Sequence, residues 1–331
     1  MSNTTTVRTD RSNQSLRPLA ISQSLLSRSD GSSQFSFGNV TVLSSVTGPV
    51  EVRLREELVD KSTLEFNLLP LIGLPGPKIK SLESTIRQLF SPLILSSLYP
   101  RSLIQITCQT ISSPTNSFSE PFSTSLEQEE NLDLGSREKK KKKRRKLSPS
   151  GGASEQAARI NSITLALLDS GVQLKGLLIS VALAFLPSTS SSSSSSEEEE
   201  EEEILVLDPT INEEETSCST HVITVSFGQG IGGTKGEIVG IDSIGKFNQN
   251  QLFEVEDLGL KACSTILGFV RKSIEAKYGL DPSNSTSALS STSTTTRTTR
   301  DTNKEIKMCV AEDGDEMSDL EPQDDDDQVM I

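Results

Sequence analysis

An α+β domain, folded once and interrupted twice, is what this chain predicts, on three observations. Its apolar residues switch along the chain between a period of two and a period of three to four, and the resulting strands and helices come in groups, not in strict βαβ alternation. Two long stretches have no period at all. The grouping reads strand-strand-strand-helix-strand, then helix-strand-strand-strand-strand-helix. Only 33% of the 331 residues are hydrophobic, low for a wholly folded chain, so tails and inserts must account for much of the length.

Residues 1–15 are polar and expected as a disordered tail, with order beginning at Leu16. Phe35 and Phe37 then alternate with polar neighbours, Gly38-Asn39 is a turn pair, and Val40, Val42 and Val46 make a β-branched strand that Gly48-Pro49 should terminate. Residues 63–69 alternate with Leu64, Phe66 and Leu68 on one face, until Pro70, Pro75 and Pro77 break the strand. From Lys78 the spacing of Ile79, Leu82, Ile86, Leu89 and Leu93 predicts an amphipathic helix to about Ser97, kinked or bounded by Pro92. Residues 103–110 return to alternation, with Ile104, Ile106 and Cys108 facing one way.

The period stops over residues 112–152, which read as an inserted, solvated loop. Helical spacing resumes at Ala157, Ile160, Ile163 or Thr164, and Leu167, with Gly171 placed as a C-cap. A strongly apolar strand covers 177–186. The second insert, 188–203, holds an unbroken run of seven serines followed by seven glutamates and cannot bury apolar surface. Strands follow at 204–207, 220–227 and 237–242, and a long amphipathic helix from Gln249 to about Lys277 closes the fold with Leu252, Leu258, Ala262, Ile266 and Phe269 on one side. The folded part thus spans 16–280, and 281–331 is expected as a disordered acidic tail.

The formal charge of −14 is concentrated in a few blocks. The glutamate run supplies seven acids and residues 312–327 supply ten, whereas Lys139, Lys140, Lys141, Lys142, Lys143, Arg144, Arg145 and Lys146 supply eight bases. Without these blocks the body carries −5, so strong autonomous nucleic-acid binding by the folded part is not written in its composition. The basic run is a candidate nuclear-import signal or RNA contact. Four scattered cysteines and one histidine support neither a disulfide framework nor a zinc site, so neither metal nor cofactor is expected. The N-terminus lacks an apolar core and the longest apolar run, 176–186, is far shorter than the ~20 residues of a spanning helix. A soluble intracellular protein with no membrane partner is expected. Gly228-Gln229-Gly230-Ile231-Gly232-Gly233 matches Gly-x-Gly-x-x-Gly but leads into a strand, not a helix, so it reads as a turn.

Leu16-Arg17-Pro18-Leu19, Asp30-Gly31-Ser32, Gly48-Pro49, Tyr99-Pro100-Arg101, Ile160-Asn161, Ala166-Leu167-Leu168-Asp169-Ser170-Gly171 and Asp208-Pro209-Thr210 occur in an order and spacing that resemble the RNase PH family, in the form of a ring subunit of the eukaryotic RNA exosome. The resemblance implies a single RNase PH-like domain of the ribosomal protein S5 domain 2-like class. It also implies a hexameric ring of RNase PH-like subunits with S1/KH cap subunits, feeding RNA to a separate 3′-to-5′ exonuclease. Its setting would be rRNA processing and RNA degradation in nucleus, nucleolus and cytoplasm.

In catalytic members of that family, phosphate sits against a Gly-Thr-Arg step at the start of a helix, with a second arginine from the preceding helix and an aspartate in a later strand. The matching positions here are Ala157-Ala158-Arg159, the base-free segment from Phe90 to Ile94, and His221. The resemblance therefore implies a degenerate, non-catalytic site, with Arg87, Arg101 and Arg159 as candidate RNA-backbone contacts. Two other readings stay open: an active phosphate-dependent exoribonuclease, and a nuclear adaptor acting through its charged tracts. The apolar load of 177–186 and of the closing helix is expected to leave patches for ring neighbours.

Overall fold

The computed structural model describes residues 8, 11–114, 152–187, 203–228, 235–279 and 306–308. The two inserts, both tails and the glycine-rich turn lie largely outside the described residues. Strands β1 (Leu19–Gln23), β2 (Gly31–Phe37), β3 (Val40–Glu51), β4 (Thr63–Leu69), β5 (Ser102–Ser112) and β10 (Ile306–Met308) form one sheet in the order β10-β1-β2-β3-β5-β4. Strands β6 (Leu177–Pro187), β7 (Glu203–Leu207), β8 (Ser219–Phe227) and β9 (Glu237–Gly245) form a second in the order β7-β6-β8-β9.

Helix α2 (Ala153–Ser170) lies between the sheets and packs on β2 and β3 of one and on β6 and β8 of the other. That position explains a burial pattern that periodicity understates: an amphipathic stripe is expected, yet nearly the whole circumference is enclosed. Its small polar residues Asn161, Ser162 and Thr164 find partners across a layer. Asn161 accepts from the Ser180 amide at 2.7 Å and donates to the Ser180 carbonyl at 2.9 Å, Thr164 donates to the Leu178 carbonyl at 2.9 Å, and Ser33 donates to the Ser162 carbonyl at 2.6 Å. Gly171 ends the helix in the left-handed conformation, as expected.

Helix α1 (Pro77–Phe90) packs on β4, and α4 (Gln249–Tyr278) covers the second sheet on the face opposite α2, against β6 and β8. The spacing of Leu93 suggested a longer α1. The helix in fact stops at Phe90, and a turn, a bridge from Ile94 to Leu174 and a short 3₁₀ turn at Ser96–Leu98 follow. Nor does Gly48-Pro49 end β3. The strand runs on to Glu51 across an irregularity between Thr47 and Val50, where Gly48 at φ +139° precedes a cis-proline and donates its N–H to Asp30 at 2.7 Å. The proline's missing donor falls in the bulge, outside the ladder.

The apolar load assigned to ring neighbours lies instead in the chain's own core. Residues 178–186 of β6 are buried between α2 and α4, and Ala262, Ile266 and Phe269 of α4 close the other side. Exposed apolar side chains include Leu54 and Leu74 in loops, Val239, Ile241 and Ile244 on β9, Phe247 just after it, and Phe253 near the start of α4.

Candidate functional site

Among the described residues, a cluster of buried and half-buried charged side chains surrounds the N-terminus of α2. It is assembled from segments about 200 residues apart. Leu207 ends β7 and Asp208 turns the chain at φ +49°, after which α3 (Ile211–Thr216) begins with Thr210 as N-cap. Thr210 and Glu213 form a reciprocal capping box, in which the Thr210 amide donates to Glu213 at 2.6 Å.

Across this turn lies the N-terminal segment. Arg8 binds Glu213 through two nitrogens at 2.7 and 2.8 Å and donates to the Leu207 carbonyl at 2.8 Å. Arg17 donates to Asp208 from its amide at 3.0 Å, from Nε at 2.8 Å and from Nη2 at 2.5 Å, and Nη2 also reaches Ser154 in the first turn of α2. Arg11 adds a bond to the Asp208 carbonyl. Arg8 and residues 11–15, expected in the disordered tail, are thus tied to the domain.

The electrostatics follow from these contacts. Burial would raise the Asp208 carboxyl, but Arg17, with help from Arg11, more than offsets it and holds the group below its ordinary 3.8. Glu213 is lowered in the same way against its burial, mainly by Arg8. Glu214 differs: its carboxylate accepts the Ala153 amide at 3.1 Å and the Ser154 amide at 2.9 Å, yet burial outweighs those bonds and Arg17 and pushes it up to about 7.

The helix start therefore lies four residues before Ala157-Ala158-Arg159. Ala157 and Ala158 sit fully buried inside α2, where their N–H groups belong to the helical ladder and cannot face an anion. The residues that open the helix are Ala153, Ser154 and Glu155, so no Gly-Thr-Arg step stands there. Arg159, 2% exposed, pairs with Glu155 one turn earlier and donates to Thr110 at 3.2 Å, so its guanidinium does not face solvent as an RNA contact would require.

His221 is also remote from this corner. Its strand neighbour Ile223 presses on Gly259 of α4, and alternation puts His221 on that same face of the sheet, opposite α2. The ring is fully buried, hydrogen-bonds with Ser243 at 2.8 Å and Ser219 at 3.0 Å, and meets Phe185 and Phe247 edge-on; burial lowers its pKa. It is a core histidine, and the sheet separates it from the α2 terminus.

Arg87 and Arg101 do face solvent, with side chains 49% and 66% exposed. The run from Lys139 to Lys146 lies outside the described residues. Among the described residues no group of three or more His, Cys, Asp or Glu side chains could hold a metal ion, and no helix is long and apolar enough to cross a membrane. Sequence reasoning missed Arg8, Arg11, Glu213 and Glu214 as a set, and the only local signal was the Thr210-x-x-Glu213 pattern of a helix start.

A family model described as the 3′ exoribonuclease family, domain 1, matches residues 15–173. The chain is 31% identical over 251 residues to the exosome complex component RRP46 of Saccharomyces cerevisiae, covering 76% of this chain and 92% of that protein. It is 32% identical over 151 residues to the Schizosaccharomyces pombe exosome complex component rrp46, covering 46% of this chain and 50% of the relative. The crystal structure of rice (Oryza sativa) Rrp46 shares the fold, with a TM-score of 0.58 at 20% identity over 80% of this chain and 98% of that one. With a relative this similar along nearly its whole length, and a family model spanning β1 to the end of α2, the chain belongs to the RNase PH family, in its Rrp46 branch.

Proposed function

We propose that this chain is a non-catalytic ring subunit of the RNA exosome, supporting 3′-to-5′ RNA processing and degradation by scaffolding the ring and guiding RNA to a separate exonuclease. The observation that carries the reading is the match to the yeast exosome component RRP46 over 92% of that protein's length. The absence of catalysis rests on geometry. The Ala153 and Ser154 N–H groups at the start of α2 donate to Glu214, Ala157 and Ala158 are enclosed, and His221 lies on the opposite face of the sheet.

Its partners in this reading are the other RNase PH-like ring subunits, the S1/KH cap subunits, the exonuclease and RNA. Strand β9, which pairs only with β8 among the described residues and carries exposed Val239, Ile241 and Ile244, is the surface that best suits a neighbour. Arg87 and Arg101 are the RNA-facing candidates, and the run from Lys139 to Lys146 serves import to nucleus and nucleolus, with a cytoplasmic pool.

Affinity purification of the tagged chain followed by mass spectrometry tests the assembly, and should recover RNase PH-like subunits in fixed stoichiometry. A stable monomer that co-purifies with none of them would overturn it. Incubation of the purified chain with single-stranded RNA, phosphate and magnesium should release no nucleoside diphosphate, and turnover that disappears in an Arg159→Ala variant would overturn the non-catalytic part.

A further inference from the structure

A strand at the rim of a sheet offers a row of unpaired N–H and C=O groups to any other extended chain, and natural edges are guarded by a charge, a proline, a bulge or a cover. Three rim strands here carry charges of their own: Glu65 on β4, Glu203 on β7, and Glu237 and Asp242 on β9. Strand β1, which would be the fourth rim without β10, has none. It reads Leu-Ala-Ile-Ser-Gln, with neither charge nor proline, and it pairs with β2 in an unbroken register. Leu19 and Ile21 are fixed in the core at 1% and 3% exposed, so the strand cannot twist away.

The groups that β1 turns outward follow from its pairing with β2. Pro18 accepts from the Gly38 amide and the Ser24 amide donates to the Ser32 carbonyl, both at 2.8 Å, so the even-numbered residues from 18 to 24 bond to β2. Successive residues alternate, and the N–H and C=O groups of Leu19 and Ile21 therefore point the other way. Those are the positions that β10 meets. Leu19 lies opposite Met308 and Ile21 opposite Ile306, the two hydrogen-bonding pairs of the register, with Ala20 opposite Lys307 between them. With β10 in place the rim strand has a lysine at its centre.

The root of the tail is placed for this pairing. Lys277, in the last turn of α4, donates to Ser24 at 2.9 Å and to Asp169 at 2.7 Å, and Asp169 also accepts from the Ser24 hydroxyl at 2.7 Å and the Ser32 amide at 2.9 Å. Helix α4 thus ends beside the residue that follows β1. Ile306 pairs with Ile21, three residues before Ser24 and ~10 Å along the strand, a distance that residues 280–305 could span several times over. The antiparallel sense agrees: β10 starts at the end of β1 where α4 leaves off and runs toward Leu19.

We propose that the C-terminal tail guards the β1 edge: Ile306–Met308 is an intrachain strand seated on a surface built for strand addition, and the ligand of that surface is an extended peptide of the tail's own sequence.

The test uses the full-length chain with prolines placed in the tail, outside the folded core. Ile306→Pro and Met308→Pro each delete an N–H aimed at β1, whereas Lys307→Pro deletes one aimed away and serves as the control. In the wild type the Leu19 and Ile21 amides should be protected from hydrogen exchange. In Ile306→Pro and Met308→Pro they should exchange faster by on the order of tenfold, while the Ala20 and Ser22 amides, bonded to β2, keep their rates and Lys307→Pro behaves as the wild type. Leu19 and Ile21 amides that exchange equally fast in the wild type and the variants, or three prolines that act alike, would overturn the proposal.

The surface itself is probed with a synthetic peptide of residues 302–312, titrated to about 1 mM to match the advantage of tethering in cis. It should shift the Leu19 and Ile21 amide resonances of the Ile306→Pro/Met308→Pro chain saturably and bind the wild type at least tenfold more weakly. Equal binding to both proteins, or none to the variant, would overturn the assignment. Both readouts lie on the β1 edge of the chain itself, so either result leaves the ring reading standing.

Discussion

Replacing Arg17 with methionine removes the main counter-charge of a carboxylate whose side chain is 1% exposed. The variant loses the Nε bond at 2.8 Å and the Nη2 bond at 2.5 Å but keeps the backbone N–H that donates at 3.0 Å. Arg11 stays 3.6 Å away. Breaking a buried pair by deleting one partner costs ~3–5 kcal/mol, because the other charge is left uncompensated, and the surviving donors place this site at the lower end, about 3 kcal/mol. In a folded body of about 200 residues, that lowers the melting temperature by roughly 6–12 °C.

The pairing itself is isolated by a double-mutant cycle with Asp208→Asn, a residue that tolerates the positive φ of this turn. The double variant should regain a large part of the loss, with a coupling of at least 1 kcal/mol. pH supplies a further check. The folded-state Asp208 carboxyl lies below its ordinary 3.8, so its stabilisation is present above pH 3.8 and is lost as pH falls through the folded value; the gap between wild type and Arg17→Met should narrow in that acid range. A melting point within 1 °C of the wild type, or strictly additive losses in the double variant, would refute the reasoning.

Gly31→Ala should destabilise by about 2 kcal/mol or more in chemical denaturation, because a Cβ there overlaps the Ala166 carbonyl and Ser170 amide of α2, backbone atoms that cannot swing aside. Glu214, raised from 4.5 to about 7, binds more protons folded than unfolded, so its contribution to stability falls as pH rises from about 4.5 to 7, by roughly 3 kcal/mol; Glu214→Gln should flatten that part of the stability profile. Arg87→Glu should weaken RNA binding by the assembled particle more than Arg101→Glu, measured by filter binding at several salt concentrations. Arg87 shares Glu83 with Lys80 and leaves net positive charge there, whereas Arg101 is balanced by Glu57 at 3.4 Å. Replacing 139–146 with Ser/Gly should lower nuclear accumulation in imaged cells and leave the melting temperature of the domain unchanged.

Much of the fold was legible because burial on one face writes a period into the sequence. Phe66 and Leu68 of β4, Ile104, Ile106 and Cys108 of β5, and Ile79 and Ile86 of α1 are buried as their spacing foretold. Legibility failed where an element is enclosed on both sides or is too short to show a period. Helix α2 carries Asn161, Ser162 and Thr164 where a one-sided helix would present an exposed face, and only the second sheet makes sense of them. The six residues of α3 offer less than two turns, so Thr210 and Glu213 are its whole signature. At Gly48-Pro49 the stop signal is genuine chemistry, since proline has no N–H, but a bulge absorbs the missing donor and the strand continues.

The candidate site was less legible for a different reason: an arginine's role depends on which carboxylate lies beside it, and these carboxylates are far away in sequence. Arg8 finds its acid 205 residues on and Arg17 finds Asp208 191 residues on, while Arg159 finds Glu155 within its own helix. All three are therefore neutralised and enclosed, although nothing in their immediate sequence separates them from Arg87 and Arg101. The same holds for anion-binding motifs read against a short tripeptide, which are meaningful only relative to the first free N–H of a helix. A displacement of four residues, about one turn, turns a phosphate-facing step into a buried stretch of helix. At this helix end the Ala153 and Ser154 N–H groups donate to Glu214, contributed by an element with too few residues to announce itself.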